Sequence, residues 1–250
     1  KGITLTKDGV EFLSYARQVV EQTNLLEERY KSHTETRELF SVSSQHYAFV
    51  VNAFVSLLKR ADMTRYELFL RETRTYEIIE DVKNFRSEIG VLFLNSYNRD
   101  VLTKMFDDNR LTYTSLFKAR PHIFVSKSNP LAKHEIVSLE DLEDFPYLSY
   151  DQGIHNSFYY SEEILSQIPH KKSIVVSDRA TLFNLLIGLD GYTIATGILN
   201  SNLNGDNIVS IPLDIDDEID IVYLKHEKAT LSKMGEQFLD NLVKEVTFDN

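Results

Sequence analysis

The sequence contains no cysteine among its 250 residues. This absence excludes a disulfide scaffold, thiolate ligands for a metal ion and a cysteine nucleophile. Long apolar runs are missing as well: no stretch approaches the length of a membrane-spanning helix, and no signal peptide is recognisable. These absences favour a cytoplasmic protein that has no membrane partner.

The short motifs of common enzyme sites are also missing. There is no G-x-S-x-G nucleophile elbow, no phosphate-binding loop and no G-x-G-x-x-G turn. The seven histidines are scattered, and "HEIVS" after Lys133 lacks the second histidine that a zinc site needs four residues on. The acidic run "DIDDEID" at 214–220 lacks the glycine and the ligand order of an EF-hand loop. The sequence therefore predicts no catalytic residue, no metal site and no cofactor.

The composition is that of an ordinary globular protein, with 42% hydrophobic and 26% charged residues. The length allows one large domain or two modest ones. The formal net charge of −11 argues against nucleic acid binding by these residues as a whole, although a local patch could still bind it.

A long amphipathic helix is predicted near the beginning, in "GITLTKDGVEFLSYARQVVEQTNLLEERY". Thr6 is a candidate N-cap, with Asp8 in the first turn. About 24 helical residues would extend roughly 36 Å, which is long for a helix that packs only on its own domain. Apolar or small residues follow at alternating spacings of four and three, the seam of a coiled coil. The seam residues are Phe12, Ala16, Val19, Thr23, Leu26 and Tyr30.

Two interpretations of this helix remain open. It is either a dimerisation helix whose seam is covered by a second subunit, which we favour, or an amphipathic helix packed on its own core.

After residue 35, short β-like runs alternate with helical ones. Strands are predicted at 38–44, 66–72 and 88–94, with helices at 47–60 and 75–85 between them. This order predicts an α/β fold with a largely parallel sheet and helices on its faces. Beyond a crossover at 119–121, similar units follow, including a helix over 156–168 and a closing helix over 231–246. Two similar subdomains are expected, with the chain returning to the first at its end.

Polar turns follow several of the predicted strands, where ligands of open α/β sheets bind. They are "SSQHY", "ETRTYE", "SYDQGIHNSFYY" and "SDRAT". Four hydroxyl-bearing turns around one cleft suit a small anion such as a carboxylate or a sulfate. The ligand-binding candidates are Ser43, Ser44, Gln45, Thr73, Thr75, Tyr150, His155, Asn156, Ser157, Asp178, Thr181 and Thr196.

The alternative for these residues is structural. Serines and threonines at such positions often cap helices, Arg74 could be a solvated surface residue, and Asp178 could pair with Arg179.

The opening segment resembles the end of the winged helix-turn-helix and the linker helix of LysR-type transcriptional regulators. The family pattern "LT..G..F...A" is matched by Leu5, Thr6, Gly9, Phe12 and Ala16. The stretch "SKSNPLAKHEIVSLEDLEDFPYLSY" at 126–150 resembles a segment of the family's effector domain, with Asn129 in place of a histidine. "GLDGYTIATG" matches less well because the family's proline is absent, and "EIGVLFL" lacks a common aspartate.

This resemblance implies the type 2 periplasmic-binding-protein fold, with two Rossmann-like subdomains preceded by a long N-terminal linker helix. The expected divisions are 1–36 for the wing end and linker helix, 37–118 plus 210–250 for subdomain I, and 119–209 for subdomain II. A DNA-binding head is expected before Lys1, so the implied partners are promoter DNA, a small-molecule effector and further copies of the chain in a homodimer or homotetramer. "SSQHY" is similar to the turn of members that sense sulfur metabolites or amino-acid precursors, which implies a polar, anionic effector.

Two other functions remain open. A stand-alone solute-binding protein of the same fold would have a signal peptide or a lipoprotein cysteine upstream and would not need the heptad helix. An enzyme on this fold would show turnover, but the sequence offers no residues for the chemistry.

Overall fold

The computed structural model describes residues 6, 8–9, 12–13, 15–17, 19–20, 23, 38–60, 66–199 and 207–247. The chain divides into two compact units. One comprises Lys1–Glu38 and Met63–Glu67, and the other comprises Leu39–Asp62 and Leu68–Asn250.

The first unit contains helical backbone near the beginning of the chain, here named α1, at positions 8–9, 12–13, 15–17, 19–20 and 23. Its predicted N-cap is confirmed, since the backbone N–H of Gly9 donates to Thr6 Oγ1 at 3.1 Å. This bond satisfies one of the donors that a helix leaves unpaired in its first turn.

The predicted seam of α1 is partly described. Phe12 is 73% exposed and Val19 is 65% exposed. The hydroxyl of Thr23 donates to the carbonyl of Val19 at 2.8 Å, so this polar seam residue is satisfied within its own helix. Leu26 and Tyr30 lie outside the described residues.

The first sheet is built from strands β1 (Glu38–Ser44), β2 (Tyr66–Glu72), β3 (Ile89–Leu94), β4 (Leu111–Ala119) and β10 (Ile219–His226). Their order is β2-β1-β3-β10-β4. β1 pairs in parallel with β3, whereas β10 is antiparallel to β3 and β4. All six residues of β3 are buried, as expected for a central strand that is covered on both faces.

The second sheet is built from strands β5 (His122–Ser126), β6 (Tyr147–Tyr150), β7 (Ser173–Val176), β8 (Tyr192–Ala195) and β9 (Ile208–Pro212). Their order is β7-β6-β8-β5-β9. β6 is parallel to β7 and β8, and β5 is antiparallel to β8 and β9. Both sheets therefore share one plan, with an antiparallel strand in the fourth position, and the predicted α/β architecture of two similar halves is confirmed.

Helices of this unit pack against the sheets. They are α2 (Ala48–Arg60), α3 (Thr75–Lys83), α4 (Arg99–Asp108), α5 (Arg179–Leu189) and α6 (Lys233–Thr247). In the first core, Ile78 and Val82 of α3 meet Leu92 of β3. In the second, Leu182 and Leu186 of α5 meet β5 and β6.

Gly90 permits the close approach of α3 to β3. A Cβ atom at this position would lie 2.8 Å from Cγ2 of Ile78 and 2.9 Å from Cγ2 of Val82, closer than real Cβ contacts allow. Gly90 therefore determines how closely α3 packs on β3.

The structure differs from the predicted elements at 156–168, at α4 and at β9. The predicted helix over 156–168 is wrong, because only Phe158–Tyr160 forms a short 3-10 helix and Leu165 has a left-handed φ of 61° that interrupts helical backbone. α4 and β9 were not predicted from the sequence. The expected division at 209/210 falls inside β9, which pairs with β5 of the second sheet, and the division into subdomains stays a prediction.

Candidate functional site

A cavity of about 50 Å³ lies between the two sheets, where β1 and β6 end. Its polar lining includes His46, Tyr47, Tyr150, Glu162, Glu163 and Thr196. Its apolar lining includes Phe49, Phe93, Phe124, Leu182, Phe183 and Ile198. A volume of this size holds a few water molecules, so a larger ligand requires the two walls to separate.

Glu162 connects the segment after β6 with the turn after β1. Its Oε2 accepts hydrogen bonds from the backbone N–H of His46 at 2.9 Å and lies 2.8 Å from Nδ1 of the same residue. Burial lowers the pKa of His46, but the hydrogen bond and the charge of Glu162, together with the charge of Glu72, outweigh it, so the pKa is raised overall. The contact between His46 and Glu162 across the cavity therefore favours the protonated form of His46.

Glu163 is the second buried carboxyl group of the lining, with 4% exposure. Its Oε1 accepts the backbone N–H of Tyr150 at 2.9 Å. Burial, and then the neighbouring charge of Glu162, raise the pKa of Glu163 well above its ordinary value. The empty cavity thus favours the neutral, protonated form of this side chain.

Two tyrosines complete the polar part. The hydroxyl of Tyr47 donates to Gln45 Oε1 at 2.6 Å, and the ring of Tyr150 stacks on His46 with centroids 4.1 Å apart. Burial is the main cause that raises the pKa of both phenols well above the usual value. Both therefore remain protonated donors.

Several further contacts join the two sides of the cavity. Gln152 donates to Glu162 Oε1 at 3.0 Å and accepts the backbone N–H of Thr75 at 3.2 Å. Arg179 at the start of α5 forms an ion pair with Glu72 at the end of β2, with 3.0 Å between Nε and Oε1. Polar side chains of the two halves thus contact one another beside the cavity.

Two more contacts lie beside this network. Arg74 forms an ion pair with Asp151, and the ring of Tyr76 stacks on His155 with centroids 3.5 Å apart. Arg74 is therefore not simply a solvated surface residue, and Arg179 pairs with Glu72.

The "SSQHY" turn is buried, and much of its polar capacity is used internally. Ser43 Oγ lies 2.7 Å from both Asp81 Oδ2 and Ser87 Oγ. Gln45 donates to Thr75 Oγ1 at 2.6 Å and accepts the backbone N–H of Phe93 at 3.1 Å. The hydroxyl of Ser44 is buried without a hydrogen-bond partner among the described residues.

The other candidate residues are spread over the same region. Asp178 caps α5, accepting the backbone N–H of Thr181 at 2.8 Å and its hydroxyl at 2.7 Å. Thr73 uses its backbone N–H to reach the carbonyl of Ser44, while Asn156 and Ser157 are exposed. Of all the candidates, Tyr150 and Thr196 contribute to the cavity lining. Effector binding by the full set stays a prediction.

Sequence analysis missed the charged part of the lining: His46, Glu162, Glu163 and Arg179. The acidic pair lies in "FYYSEEIL", where carboxylates within an aromatic and apolar run were a signal for buried charge. The helix predicted over 156–168 led to a different interpretation of this pattern, because such a helix would place both glutamates on a solvated face.

The described residues contain neither a candidate metal site nor a membrane-spanning helix. No group of three or more histidine, aspartate and glutamate side chains in it is arranged to hold a metal ion. Within the described ranges, no helix is both long and apolar enough to cross a membrane.

Comparison with known proteins defines the family. Residues 43–247 match the model of the LysR substrate binding domain, and this match covers most of the sequence. The chain therefore belongs to the LysR substrate-binding-domain family, the effector-binding part of LysR-type transcriptional regulators. No curated protein sequence matches the chain.

Solved structures of LysR-type regulators have the same fold. HinK, a LysR family transcriptional regulator from Pseudomonas aeruginosa, has a TM-score of 0.54 and 14% identity, covering 97% of this chain and 81% of its own. The oxidized form of OxyR from Corynebacterium glutamicum has a TM-score of 0.58 and 14% identity, covering 98% and 75%. The effector binding domain of QuiR, in complex with shikimate, has a TM-score of 0.55 and 16% identity, covering 84% and 97%. At these identities, the similarity shows the fold alone.

Proposed function

We propose that this chain is the ligand-sensing part of a LysR-type transcription factor and that a small effector binds in the cavity between the two sheets. The observation that supports this proposal is the position of the cavity. It lies at the ends of β1 and β6, between two halves whose sheets have the same strand arrangement. In open α/β sheets, this is where ligands bind. The proposed role is regulatory and requires no turnover.

The network around the cavity suggests how binding would be transmitted. Three contacts join the two halves directly: Glu162 with His46, Gln152 with Thr75, and Arg179 with Glu72. An effector that inserts between these side chains would favour one relative arrangement of the halves through its difference in affinity for the two arrangements.

Transmission to DNA is the second part of the proposal. Promoter DNA would be bound by a winged helix-turn-helix outside the present sequence, and copies of the chain would pair through α1 into a dimer or a tetramer. A change in the arrangement of the halves would then change the spacing of the paired DNA-binding heads or the bend of the DNA. DNA binding by such an assembly falls steeply with salt concentration.

The charge of the effector is a separate question. The sequence predicts a small anion related to amino-acid or sulfur metabolism, and the shikimate complex of QuiR is in keeping with a carboxylate ligand. Against it, Ser43, Gln45 and Thr75 already hydrogen-bond to other protein groups, so an anion would have to compete with those bonds.

A cavity-filling variant tests the proposed binding place. Native mass spectrometry with a metabolite extract from the source cells should show a retained small molecule on the parent chain and little on Ala195→Leu, which adds volume to the lining. Ala180→Leu, on an exposed position of α5, is the matched control and should bind as the parent does. Equal retention by all three chains would place the binding site elsewhere, and the absence of any retained molecule would contradict ligand sensing.

A further inference from the structure

The charged groups of the cavity are unevenly balanced. His46 faces Glu162 at 2.8 Å and Arg179 faces Glu72 at 3.0 Å, so each of these cations already has a carboxylate partner. Glu163 also lines the cavity and is buried, but it has no ion-pair partner among the described residues. One carboxyl group therefore remains without a cation.

An anion finds little compensation in this lining. Its negative charge would lie near the carboxylate of Glu162 in a region of low dielectric constant, where repulsion between like charges is strong. Both cations would have to leave their carboxylate partners to bind it, and breaking a buried ion pair leaves an uncompensated charge behind.

The remaining walls are apolar. Phe93, Phe124 and Leu182 are buried and belong to the cavity lining. Contact with such walls stabilises a hydrocarbon or aromatic body, while the few polar groups determine its orientation.

We infer that the effector is a small cationic amine with an apolar body, whose protonated nitrogen pairs with Glu163 and whose body contacts Phe93, Phe124 and Leu182. This inference rests on the proposed function, since it assigns a ligand class to the same cavity. An ammonium group beside Glu163 favours the ionised form of this carboxyl group, which releases its proton and becomes the counter-ion of the amine. Tyr47 and Thr196 belong to the same lining.

Probes of one shape and different charge test the inference. Benzylamine, benzyl alcohol and benzoate form one set, and isobutylamine and isobutyrate form a second, smaller pair. Calorimetric titration of the whole chain at pH 7 should show the amine of each set binding at least about tenfold more tightly than its neutral or anionic counterpart. This comparison uses the parent protein alone, so it does not depend on the folding of a variant.

Glu163→Gln locates the effect. This variant keeps the size of the side chain and the acceptor for the N–H of Tyr150, but it removes the charge, and the affinity for the amine should fall at least about tenfold. Glu80→Gln removes a carboxylate that pairs with Lys83 on α3, outside the cavity, and should leave the affinity unchanged.

The outcomes separate the ligand class from the general function. Tighter binding of benzoate or isobutyrate, equal binding of benzyl alcohol, or undiminished amine binding by Glu163→Gln would each overturn the inference while leaving small-molecule sensing intact. Failure of every probe to bind at millimolar concentration would overturn the amine assignment as well. Retention of a metabolite by the parent chain but not by Ala195→Leu would still support the proposed function in that case.

Discussion

At the scale of single residues, the neighbouring glutamates Glu162 and Glu163 differ in their hydrogen-bond partners and in the compensation of their charge. Glu162 receives the backbone and the ring of His46 and the amide of Gln152, so its charge is compensated by donors from both halves of the fold. Glu163 accepts the backbone N–H of Tyr150, lines the cavity and has no ion-pair partner among the described residues. The first side chain connects the halves, and the second is the one proposed to pair with the effector.

The raised pKa of Glu163 predicts a pH-dependent gain in stability for Glu163→Gln. Below the unfolded-state pKa of about 4.3, the folded and unfolded states both hold the proton, and the contribution of Glu163 to stability is fully present. As the pH rises, the unfolded state ionises first, so this contribution is progressively lost until the pH passes the raised pKa of the folded state. Glutamine has no proton to lose, so the free energy of unfolding of Glu163→Gln relative to the parent should increase from pH 4 to pH 8, as measured by urea denaturation.

Glu80→Gln provides the opposite control. The hydrogen bond from Lys83 lowers the pKa of Glu80, so this carboxylate contributes stability above its unfolded-state pKa. Its removal should give a small loss at pH 8 and a smaller one at pH 4. A difference between Glu163→Gln and the parent that stays constant with pH would contradict the buried, protonated state of Glu163.

Asp178 permits a direct test between capping and ligand binding. Because it accepts both the backbone N–H and the hydroxyl of Thr181, Asp178→Ala should lower the free energy of unfolding through loss of the N-cap. Asp178→Ser, which keeps an N-cap acceptor, should restore most of it. Both variants should bind the effector as the parent does, because Asp178 is not part of the cavity lining. Loss of binding with unchanged stability would instead favour the effector role that the sequence suggests.

At the scale of elements, the sequence predicts best where burial produces a clear pattern. β3 is a run of six buried residues, and its position was predicted to within one residue. α4 was missed because only Leu102 and Phe106 of its ten residues are buried, too few to give a visible period. β9 has only five residues, too few to give a clear alternation of buried and exposed side chains.

The candidate site was predictable only in part. The turns after β1, β2 and β6 were identified because strand ends of α/β sheets bind ligands. The contact between His46 and Glu162 joins residues 116 positions apart, and no local pattern specifies such a pair. Charge compensation across the cavity therefore requires the tertiary structure.

Gly90 and Gly188 form a matched pair for testing how α3 lies on β3. A methyl group at Gly90 would meet Ile78 and Val82 at less than 3.0 Å, so Gly90→Ala should lower the free energy of unfolding by about 1–3 kcal/mol. Gly188 lies on an exposed turn of α5 with no atom within 4 Å of the added carbon, so Gly188→Ala should raise it by about 0.5–1 kcal/mol. Chemical denaturation measures both. Equal effects of the two substitutions would show that the helix and the strand adjust freely to one another.

At the scale of the whole molecule, α1 raises the question of assembly. Its seam presents Phe12 and Val19 largely exposed, and the hydroxyl of Thr23 is satisfied by Val19. Thr23 can therefore enter an apolar interface without leaving an unpaired hydroxyl group. The described part of the seam has the character of a surface that a second copy could cover.

Two adjacent valines of α1 provide the decisive comparison. Val19 occupies a core position of the predicted heptads, whereas Val20 occupies the flanking position that often bears charge in coiled coils. Val19→Glu would bury a carboxylate in the seam and should weaken the dimer at least about tenfold, and adding Leu26→Glu should weaken it further. Val20→Glu introduces the same charge on a comparably exposed residue of the same helix and should leave the mass in solution unchanged, as measured by light scattering over a dilution series.

Effector affinity should be the same in all variants, because the cavity is built from the other compact unit. If Val19→Glu and Val20→Glu both leave the mass unchanged, the seam does not assemble the protein, whereas equal weakening by both would replace the heptad seam with a broader apolar face.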